Sequence, residues 1–280
     1  MNDREKYLYD IQGFLVVRDF LTPEEVDRLN AAFDANVDKM TEDGNSNTGG
    51  SKTLKGQKKR GLYHGMLAWE KPYCDPFRDL LVHTKSIPYL DTLFGRGWRM
   101  DHSPFALFSH EGDEGLILHG PGHDYFGLAH YNYQNGKIRT GMVVFQVQLA
   151  DVNPGDGGFC AIPGSHKSNF ACPRDIIEYE ADQNIVVNVQ CKKGDLLIFD
   201  EATTHGTLPW KAKHQRRSLL YRYSPHYLHY AGGYHQTTFP EWVEDLTEAQ
   251  RAVLEPPYHY NRPLGEPDGV TVSKTPTAGT

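Results

Sequence analysis

The central part of the sequence repeats one local pattern, in which short apolar and β-branched runs are separated by turns rich in Gly, Pro, Asn and Asp. Short strands at such regular spacing are typical of antiparallel sandwiches, jelly rolls and barrels, because a parallel α/β sheet needs a helix between successive strands. The pattern therefore predicts a mainly β core over residues 98–224. The runs expected to form its strands are 104–109, 115–119, 141–149, 159–162, 184–190, 195–200 and 217–223.

The core is preceded by a supporting region, residues 1–97, that opens with an apolar run at 13–17, which predicts a strand. A helix is predicted directly afterwards, because Thr22 is a good N-cap, Pro23 suits the first helical position and Glu25 can close a capping box. Helical spacing places one apolar stripe on this helix, which is expected to pack against the sheet. The stripe consists of Val26, Leu29, Phe33 and Val37.

The remaining flanks complete a single predicted domain over residues 1–280. Helices are expected at about 75–83 and 86–94. The segment 41–60 is polar, Gly-rich and basic toward its end, and we predict a mobile loop because it cannot bury enough apolar surface to fold alone. Residues 225–280 predict a loop-rich C-terminal extension with one short helix.

Composition and charge narrow the classes of function. With 36 acidic and 29 basic residues the formal net charge is −7, and there is no long basic block, which disfavours nucleic acid and anionic membranes as partners. No apolar stretch approaches the roughly 18 residues of a membrane span, and the charged N-terminus lacks the apolar segment of a signal peptide. The four cysteines occur singly, which disfavours a disulfide framework or a cysteine zinc site. We therefore expect a cytoplasmic protein whose partner is a small molecule.

Two of the 14 histidines stand in a chemical context that favours metal binding. His205 follows an apolar strand pattern and begins a His-Gly corner, and His119 ends an apolar run and opens a Gly-Pro loop whose backbone can approach a bound ion. Arg216 lies on a further predicted strand, from which a guanidinium can hold a carboxylate in a bidentate fork. The serine-hydrolase motif G-x-S-x-G and the phosphate-binding P-loop motif are both absent from the sequence.

Four motifs that occur in a fixed order extend this interpretation. The chain opens with G-F-L-V-V-R-D-F-L-T-P-E-E-V, continues with L-x-D-V-x-x-x-x-G-G-F-x-x-I-P-G-S-H-K and G-D-L-L-I-F-D-x-x-x-x-H-G, and ends the series with R-R-S-L. From about residue 10 to 225 this order resembles the phytanoyl-CoA dioxygenase family. The resemblance implies a double-stranded β-helix core of the jelly-roll, cupin-like type. It also implies an enzyme that uses iron(II), 2-oxoglutarate and O2.

The resemblance assigns expected roles to individual residues. His205 matches the distal iron-ligand histidine of the family, and His119 matches the proximal one. Arg216 matches the arginine that pairs with the distal carboxylate of 2-oxoglutarate. Thr207 lies where family members often place a hydroxyl near the cosubstrate, and Gln146 is a further expected contact because strand alternation turns it inward.

One part of the family pattern is missing, because Pro121 stands where the carboxylate of the His-x-Asp metal motif is expected. A carboxylate from elsewhere could complete the facial triad of a non-haem iron site: either Asp124, in the same loop, or Glu201, four residues before His205 and expected on the same face of its strand. Alternatively, His119 and His205 hold iron alone and a halide takes the third position, as in the related 2-oxoglutarate-dependent halogenases. In the third interpretation metal binding is lost and the protein is a binding module.

For the enzyme interpretation, the resemblance implies that 2-oxoglutarate is decarboxylated to succinate and CO2 while a C–H bond of the substrate is oxidised. Hydroxylation is the expected outcome, and a bound halide would redirect the reaction toward halogenation. The sequence does not favour one small-molecule metabolite over another, and family membership alone does not decide the substrate.

Overall fold

The computed structural model describes residues 1–44, 47–120, 129–229, 238–257 and 261–274. Its α-helices are α1 (Asp3–Gln12), α2 (Pro23–Asp34), α3 (Asp75–Asp79), α4 (Ile87–Phe94), α5 (Arg174–Ile177) and α6 (Glu248–Ala252). Its strands are β1 (Phe14–Val17), β2 (Thr41–Glu42), β3 (Gly61–His64), β4 (Arg99–Met100), β5 (Phe105–Ser109), β6 (Leu116–His119), β7 (Tyr131–Gln134), β8 (Lys137–Thr140), β9 (Val143–Gln148), β10 (Gly158–Ala161), β11 (Val187–Asn188), β12 (Leu196–Asp200), β13 (His205–Leu208), β14 (Arg216–Ser224), β15 (Pro263–Gly265) and β16 (Val272–Lys274). Within these described ranges, no helix is long and apolar enough to cross a membrane.

Two facing antiparallel sheets form the core. The major sheet has the order β1-β12-β9-β14-β5-β3-β2, with β4 also paired to β14, and the minor sheet has the order β11-β10-β13-β6. The chain passes from β12 in the major sheet to β13 in the minor sheet and back to β14, so consecutive strands alternate between the sheets as in a jelly roll. The predicted mainly β fold of jelly-roll type is confirmed, as an open sandwich rather than a closed barrel.

The space between the sheets is filled by an inner apolar core. Phe159 and Ala161 of the minor sheet pack with Leu197, Phe199 and Leu220 of the major sheet. Their positions fix which face of each strand points inward, because successive side chains alternate between the two faces of a sheet. Residues two positions from these therefore also face the interior.

Helices α2 and α3 cover the outer face of the major sheet, where aromatic residues dominate the packing, whereas α5 packs on the minor sheet. Phe33 of α2 is fully buried, and its ring centroid lies 4.8 to 5.8 Å from those of Tyr63, Trp69, Phe77 and Phe108. Tilted and edge-to-face contacts of this kind add to the free energy gained from burial. The helical layer is thus part of the domain core.

Phe33→Ala is expected to lower the free energy of unfolding by about 3–5 kcal/mol, because it leaves a cavity between four aromatic rings. Urea-induced unfolding followed by circular dichroism measures the change. Phe170→Ala is the control, since that ring is 85% exposed and its removal should leave stability unchanged. Equal stability of the two variants would contradict the proposed importance of this cluster.

The predicted start of α2 is confirmed and its predicted end is wrong. The backbone N–H of Glu25 donates to the Thr22 hydroxyl at 3.2 Å, and the N–H of Thr22 donates to the Glu25 carboxylate at 2.7 Å, which completes the capping box. The helix ends earlier than the apolar stripe suggests, and the Asn36 amide donates to the carbonyl of Ala32 beyond its end. Val37 is therefore 63% exposed and does not join the core.

Other predicted elements occur with shifted bounds. The helix expected at 75–83 is α3 followed by a 3-10 turn at Leu80–Val82, and the helix expected at 86–94 is α4. The run 184–190 forms only the short strand β11, preceded by a 3-10 turn at Gln183–Ile185. Helix α1 was not predicted at all.

The described part of segment 41–60 is docked on the body of the protein. Leu54 is fully buried, and the backbone N–H groups of Lys52 and Thr53 donate to the carboxylate of Glu180 at 2.7 and 2.9 Å. Composition cannot show such anchoring, because the acceptor comes from a distant part of the chain. The mobility of this segment in solution stays a prediction.

Candidate metal centre and anion-binding site

Two strands of the minor sheet come close together at the point where each carries a histidine. His119 on β6 lies directly opposite His205 on β13, and the pairing then shifts so that Thr207 lies opposite Leu116. A side chain at Gly206 would place its Cβ atom only 2.7 Å from the carbonyl oxygen of Leu116. Glycine at this position therefore permits the irregular, close pairing that brings the two histidines together.

The same constraint applies on the facing strand. A Cβ atom at Gly120 would lie 2.8 Å from the Cα atom of Thr204. Each histidine is thus followed by a glycine for the same steric reason, since any larger residue would push the two strands apart.

The two imidazole rings bond the backbone through the same nitrogen. The ring centroids are 4.2 Å apart. Nδ1 of His119 lies 3.1 Å from the carbonyl oxygen of Ile117, and Nδ1 of His205 lies 2.7 Å from the carbonyl oxygen of Thr203. A carbonyl can only accept a hydrogen bond, so both Nδ1 atoms carry the proton and both Nε2 atoms keep a lone pair. This is the arrangement that metal-binding histidines adopt.

His205 is held in the neutral form by its surroundings. The ring lies against Phe159 and Phe199, and its burial, together with the neighbouring His119, lowers the pKa of His205 to about 4. A neutral imidazole is the form that binds a metal ion. The ring is therefore ready to act as a ligand at neutral pH.

Glu201 completes a cluster of three potential ligands. One ligand atom from each of His119, Glu201 and His205 lies within 4.8 Å of the others. Atoms bonded at about 2.0–2.2 Å to one face of an ion lie about 3 Å apart, so the three side chains would move closer together on binding a metal. Glu201 is 8% exposed, and its carboxylate is near enough to His205 to offset part of the lowering of the pKa of that imidazole. A buried carboxylate beside two imidazoles is suited to bind a cation.

The position of Glu201 depends on a buried network that sequence analysis missed. Glu201 lies in the turn between β12 and β13, and the preceding Asp200 is fully buried. Its carboxylate accepts hydrogen bonds from the Tyr9 hydroxyl at 3.2 Å, the Thr140 hydroxyl at 2.5 Å and the backbone N–H of Ala202 at 2.9 Å. The network fixes the turn and joins it to α1. Only the Phe-Asp end of an apolar strand hints at this in the sequence.

The structure corrects the reason for which Glu201 was considered. Its predicted place on the strand of His205 is wrong, because β12 ends at Asp200 and β13 begins only at His205. Glu201 reaches the histidines from the turn that joins the two sheets. The other candidate carboxylate, Asp124, lies outside the described residues.

Arg216 forms the second half of the site, at the start of β14. The residue is 2% exposed, and its Nε and Nη1 atoms have no hydrogen-bond partner within the described ranges. Gly158 leaves the guanidinium room, since a Cβ atom there would lie 3.3 Å from Nε. Burial lowers the pKa of Arg216 to about 10, with a further contribution from Arg60, so the group is still charged at neutral pH. A buried cation with two unused donors is suited to bind an anion.

Two more predicted residues lie in the same interior. Gln146 pairs with inward-facing neighbours on β12 and β14, is 2% exposed, and has no partner for its amide nitrogen among the described residues. Thr207 follows His205 by two positions on β13 and is also buried. Arg217, by contrast, faces the other side of the major sheet, where it donates to Asn30 and pairs with Asp34. The structure thus brings together every predicted site residue that it describes.

The charges of this site suit iron(II) and 2-oxoglutarate. Imidazoles bind a metal in the neutral form and a carboxylate binds it as an anion, so the three ligands would carry one negative charge around a bound ion. Together with Arg216, a divalent ion and a dianionic ketoacid, they give no net charge, which limits the cost of enclosing ions in an apolar interior. The donor set of two histidines and one carboxylate is also the one that non-haem iron(II) oxygenases use.

Gly206→Ala is expected to weaken iron(II) binding about tenfold and to destabilise the fold by about 1–3 kcal/mol, because the added methyl group displaces β6 and with it His119. Anaerobic iron titration and urea unfolding measure the two effects. Gly265→Ala is the matched control, since nothing lies within 4 Å of a Cβ atom there. Wild-type iron affinity in Gly206→Ala would show that the close strand approach is not needed.

Comparison with known proteins gives a family and a set of similar folds. The sequence model of the family described as Phytanoyl-CoA dioxygenase (PhyH) matches residues 9–218. No curated protein sequence matches the chain.

The similar solved structures include metal- and 2-oxoglutarate-bound proteins. HygX from Streptomyces hygroscopicus, with nickel, 2-oxoglutarate and hygromycin B bound, has a TM-score of 0.64 at 22% identity and covers 80% of this chain and 88% of its own. EctD from S. alaskensis, with 2-oxoglutarate and 5-hydroxyectoine, has a TM-score of 0.60 at 18% identity and covers 80% of this chain and 76% of its own. At these identities the likeness establishes the fold.

Proposed function

Because this chain belongs to the phytanoyl-CoA dioxygenase family, whose members are iron(II)- and 2-oxoglutarate-dependent oxygenases, we propose that it hydroxylates an unactivated C–H bond of a small-molecule metabolite. Succinate and CO2 are the expected coproducts. The observation that carries the proposal is the cluster of His119, Glu201 and His205, three ligand atoms within 4.8 Å of one another. The same interior holds the guanidinium of Arg216, whose Nε and Nη1 atoms have no partner among the described residues.

Metal binding and cosubstrate binding are proposed for two different groups of residues in this interior. His119, Glu201 and His205 would hold iron(II) on one face and leave its other positions open. Arg216 would bind the distal carboxylate of 2-oxoglutarate through its two unused donors, and Gln146 offers an amide N–H in the same space. When bound, iron with 2-oxoglutarate and O2 supplies an oxidant able to break a C–H bond.

The apolar surroundings of the cluster support the same chemistry. Phe199 lies 4.7 Å from the ring of His205 and Phe159 lies 5.8 Å from it, measured between ring centroids. Rings at these positions keep water away from the reacting centre and strengthen the electrostatic interactions within it.

The small-molecule class of the substrate is supported by the bound molecules named in two similar structures. HygX is described with hygromycin B and EctD with 5-hydroxyectoine, both small molecules. The acidic net charge of −7 agrees with this, since nucleic acids are polyanions.

The described residues support the two alternatives less well. A halide in the third ligand position requires that no carboxylate occupy it, and the nearness of Glu201 to both histidines favours the carboxylate. A binding module without metal would not need two protonated Nδ1 atoms that leave both Nε2 atoms of His119 and His205 free.

Anaerobic titration of the protein with iron(II) and then 2-oxoglutarate tests the proposal. The wild-type protein is expected to develop the weak visible charge-transfer band of an iron–ketoacid chelate, and His119→Ala and His205→Ala are expected to lose it while remaining folded by circular dichroism. Absence of the band in folded wild-type protein would refute the proposed function. Retention of the band in both histidine variants would remove these residues from the iron site.

A further inference from the structure

Arg60 lies level with Arg216 across the major sheet, with one strand between them. Thr41 and Glu42 of β2 pair with β3, and the N–H of Asp43 donates to the carbonyl of Arg60 at 3.0 Å, so the ladder continues one residue before β3 begins. On the other side of β3, Gly61 lies opposite Phe108 of β5. Arg60 therefore stands next to Ser109, the residue that pairs with Arg216 on β14.

The two arginines point to the same face of the major sheet. Leu62, two positions after Arg60, packs against the inner core, and Leu220, four positions after Arg216, belongs to it. Alternation along each strand therefore directs both guanidinium groups into the interior. With one strand between them, their Cα atoms are about 9–10 Å apart, which leaves room for a carboxylate between two long side chains.

The donors of Arg60 are only partly used. Its Nε donates to the carboxylate of Asp43 at 3.0 Å, whereas its buried Nη1 has no partner in the described ranges, and the residue as a whole is 7% exposed. Among charged groups Arg60 has the largest effect on Arg216, whose pKa it lowers by repulsion. Two buried guanidinium groups that repel each other and still have unused donors favour the binding of an anion between them.

We propose that Arg60 is a second cosubstrate-binding arginine, which holds the distal carboxylate of 2-oxoglutarate together with Arg216; this rests on the function proposed above. A carboxylate accepts about four hydrogen bonds, and the bidentate fork of one guanidinium fills only two of them. The two-arginine arrangement would select ketoacids with a carboxylate at the far end over ketoacids that lack one. It also gives the docked segment before β3 a direct part in cosubstrate binding.

The test compares two ketoacids on the iron-loaded protein. For Arg60→Gln, the dissociation constant of 2-oxoglutarate, measured anaerobically by the charge-transfer band and by the thermal shift that the ligand produces, is expected to rise about tenfold or more. Binding of 2-oxobutanoate, which has no distal carboxylate, and of iron(II) should stay within about twofold of wild type. Arg60→Lys keeps the positive charge but lacks the forked guanidinium, so its loss of 2-oxoglutarate affinity should be intermediate. It also replaces Arg60→Gln if that variant does not fold.

Asp43→Asn is the matched control, because it removes the acid that pairs with Arg60 and leaves Arg60 in place. It is expected to lower the melting temperature while 2-oxoglutarate affinity stays within about threefold of wild type. The proposal would be overturned if Asp43→Asn and Arg60→Gln lost 2-oxoglutarate affinity equally. It would also be overturned if Arg60→Gln weakened the binding of both ketoacids equally, because either result would give Arg60 only a structural role. If the wild-type protein binds no 2-oxoglutarate, the proposed function itself is refuted. If the wild-type protein binds 2-oxoglutarate and Arg60→Gln binds it equally well, only this inference is refuted.

Discussion

Glu201→Ala is expected to bind iron(II) at least about 100-fold more weakly than the wild-type enzyme and to lose substrate-dependent consumption of 2-oxoglutarate. Residues that merely support a metal ligand already change affinity by about 10–100-fold, and Glu201 is placed to be a ligand. Its removal also leaves two neutral imidazoles to balance a divalent ion in a buried site. Anaerobic titration followed by ultrafiltration and iron analysis measures the affinity.

Glu178→Ala provides the comparison for this variant, because Glu178 is a partly buried carboxylate that pairs with Arg174 and belongs to no cluster of potential metal ligands among the described residues. Its iron affinity should equal that of wild type. Unchanged iron affinity in Glu201→Ala, together with a product that depends on chloride, would show that a halide takes the third position and that the enzyme is a halogenase.

Arg216→Ala is expected to weaken 2-oxoglutarate binding by at least about 30-fold, since truncating one member of a buried charge pair costs about 2–5 kcal/mol. Iron(II) affinity should change by less than about threefold, because the guanidinium is not a ligand. The charge-transfer band, titrated with 2-oxoglutarate at saturating iron, separates the two effects.

Arg217→Ala is a stringent control for this result. The residue is adjacent in sequence but donates to Asn30 and pairs with Asp34 on the outer face of the sheet. Its loss should affect stability and leave 2-oxoglutarate affinity unchanged. If Arg216→Ala lost iron and 2-oxoglutarate affinity in equal measure, its assignment to the distal carboxylate would be wrong.

Local sequence patterns predicted those features that local interactions determine. The capping box of Thr22 and Glu25 involves residues three apart, and the strands follow from runs of β-branched and aromatic residues. Helix α1 was missed although Asn2 and Glu5 form a capping box and Gly13 adopts the left-handed conformation that ends the helix. Its sequence lacks an apolar stripe, and only Tyr9 is buried.

Features that depend on distant parts of the chain were not predictable in the same way. Motif order pointed to His119, His205 and Arg216, but no spacing rule places the carboxylate of Glu201 in a turn between two sheets. The interior position of Arg60 depends on its pairing beside Ser109, almost 50 residues later in the chain. In the sequence it stands in a basic run that is typical of a solvated surface.

The hydrogen bond between Tyr9 and Asp200 connects the first helix to the turn that carries Glu201, and so to the proposed iron site. N-terminal truncation, as is often done to improve crystals, would remove Tyr9. Asp200 would then lose one of the hydrogen-bond donors that hold the turn containing Glu201. Shortened versions of this enzyme should therefore keep the first helix intact.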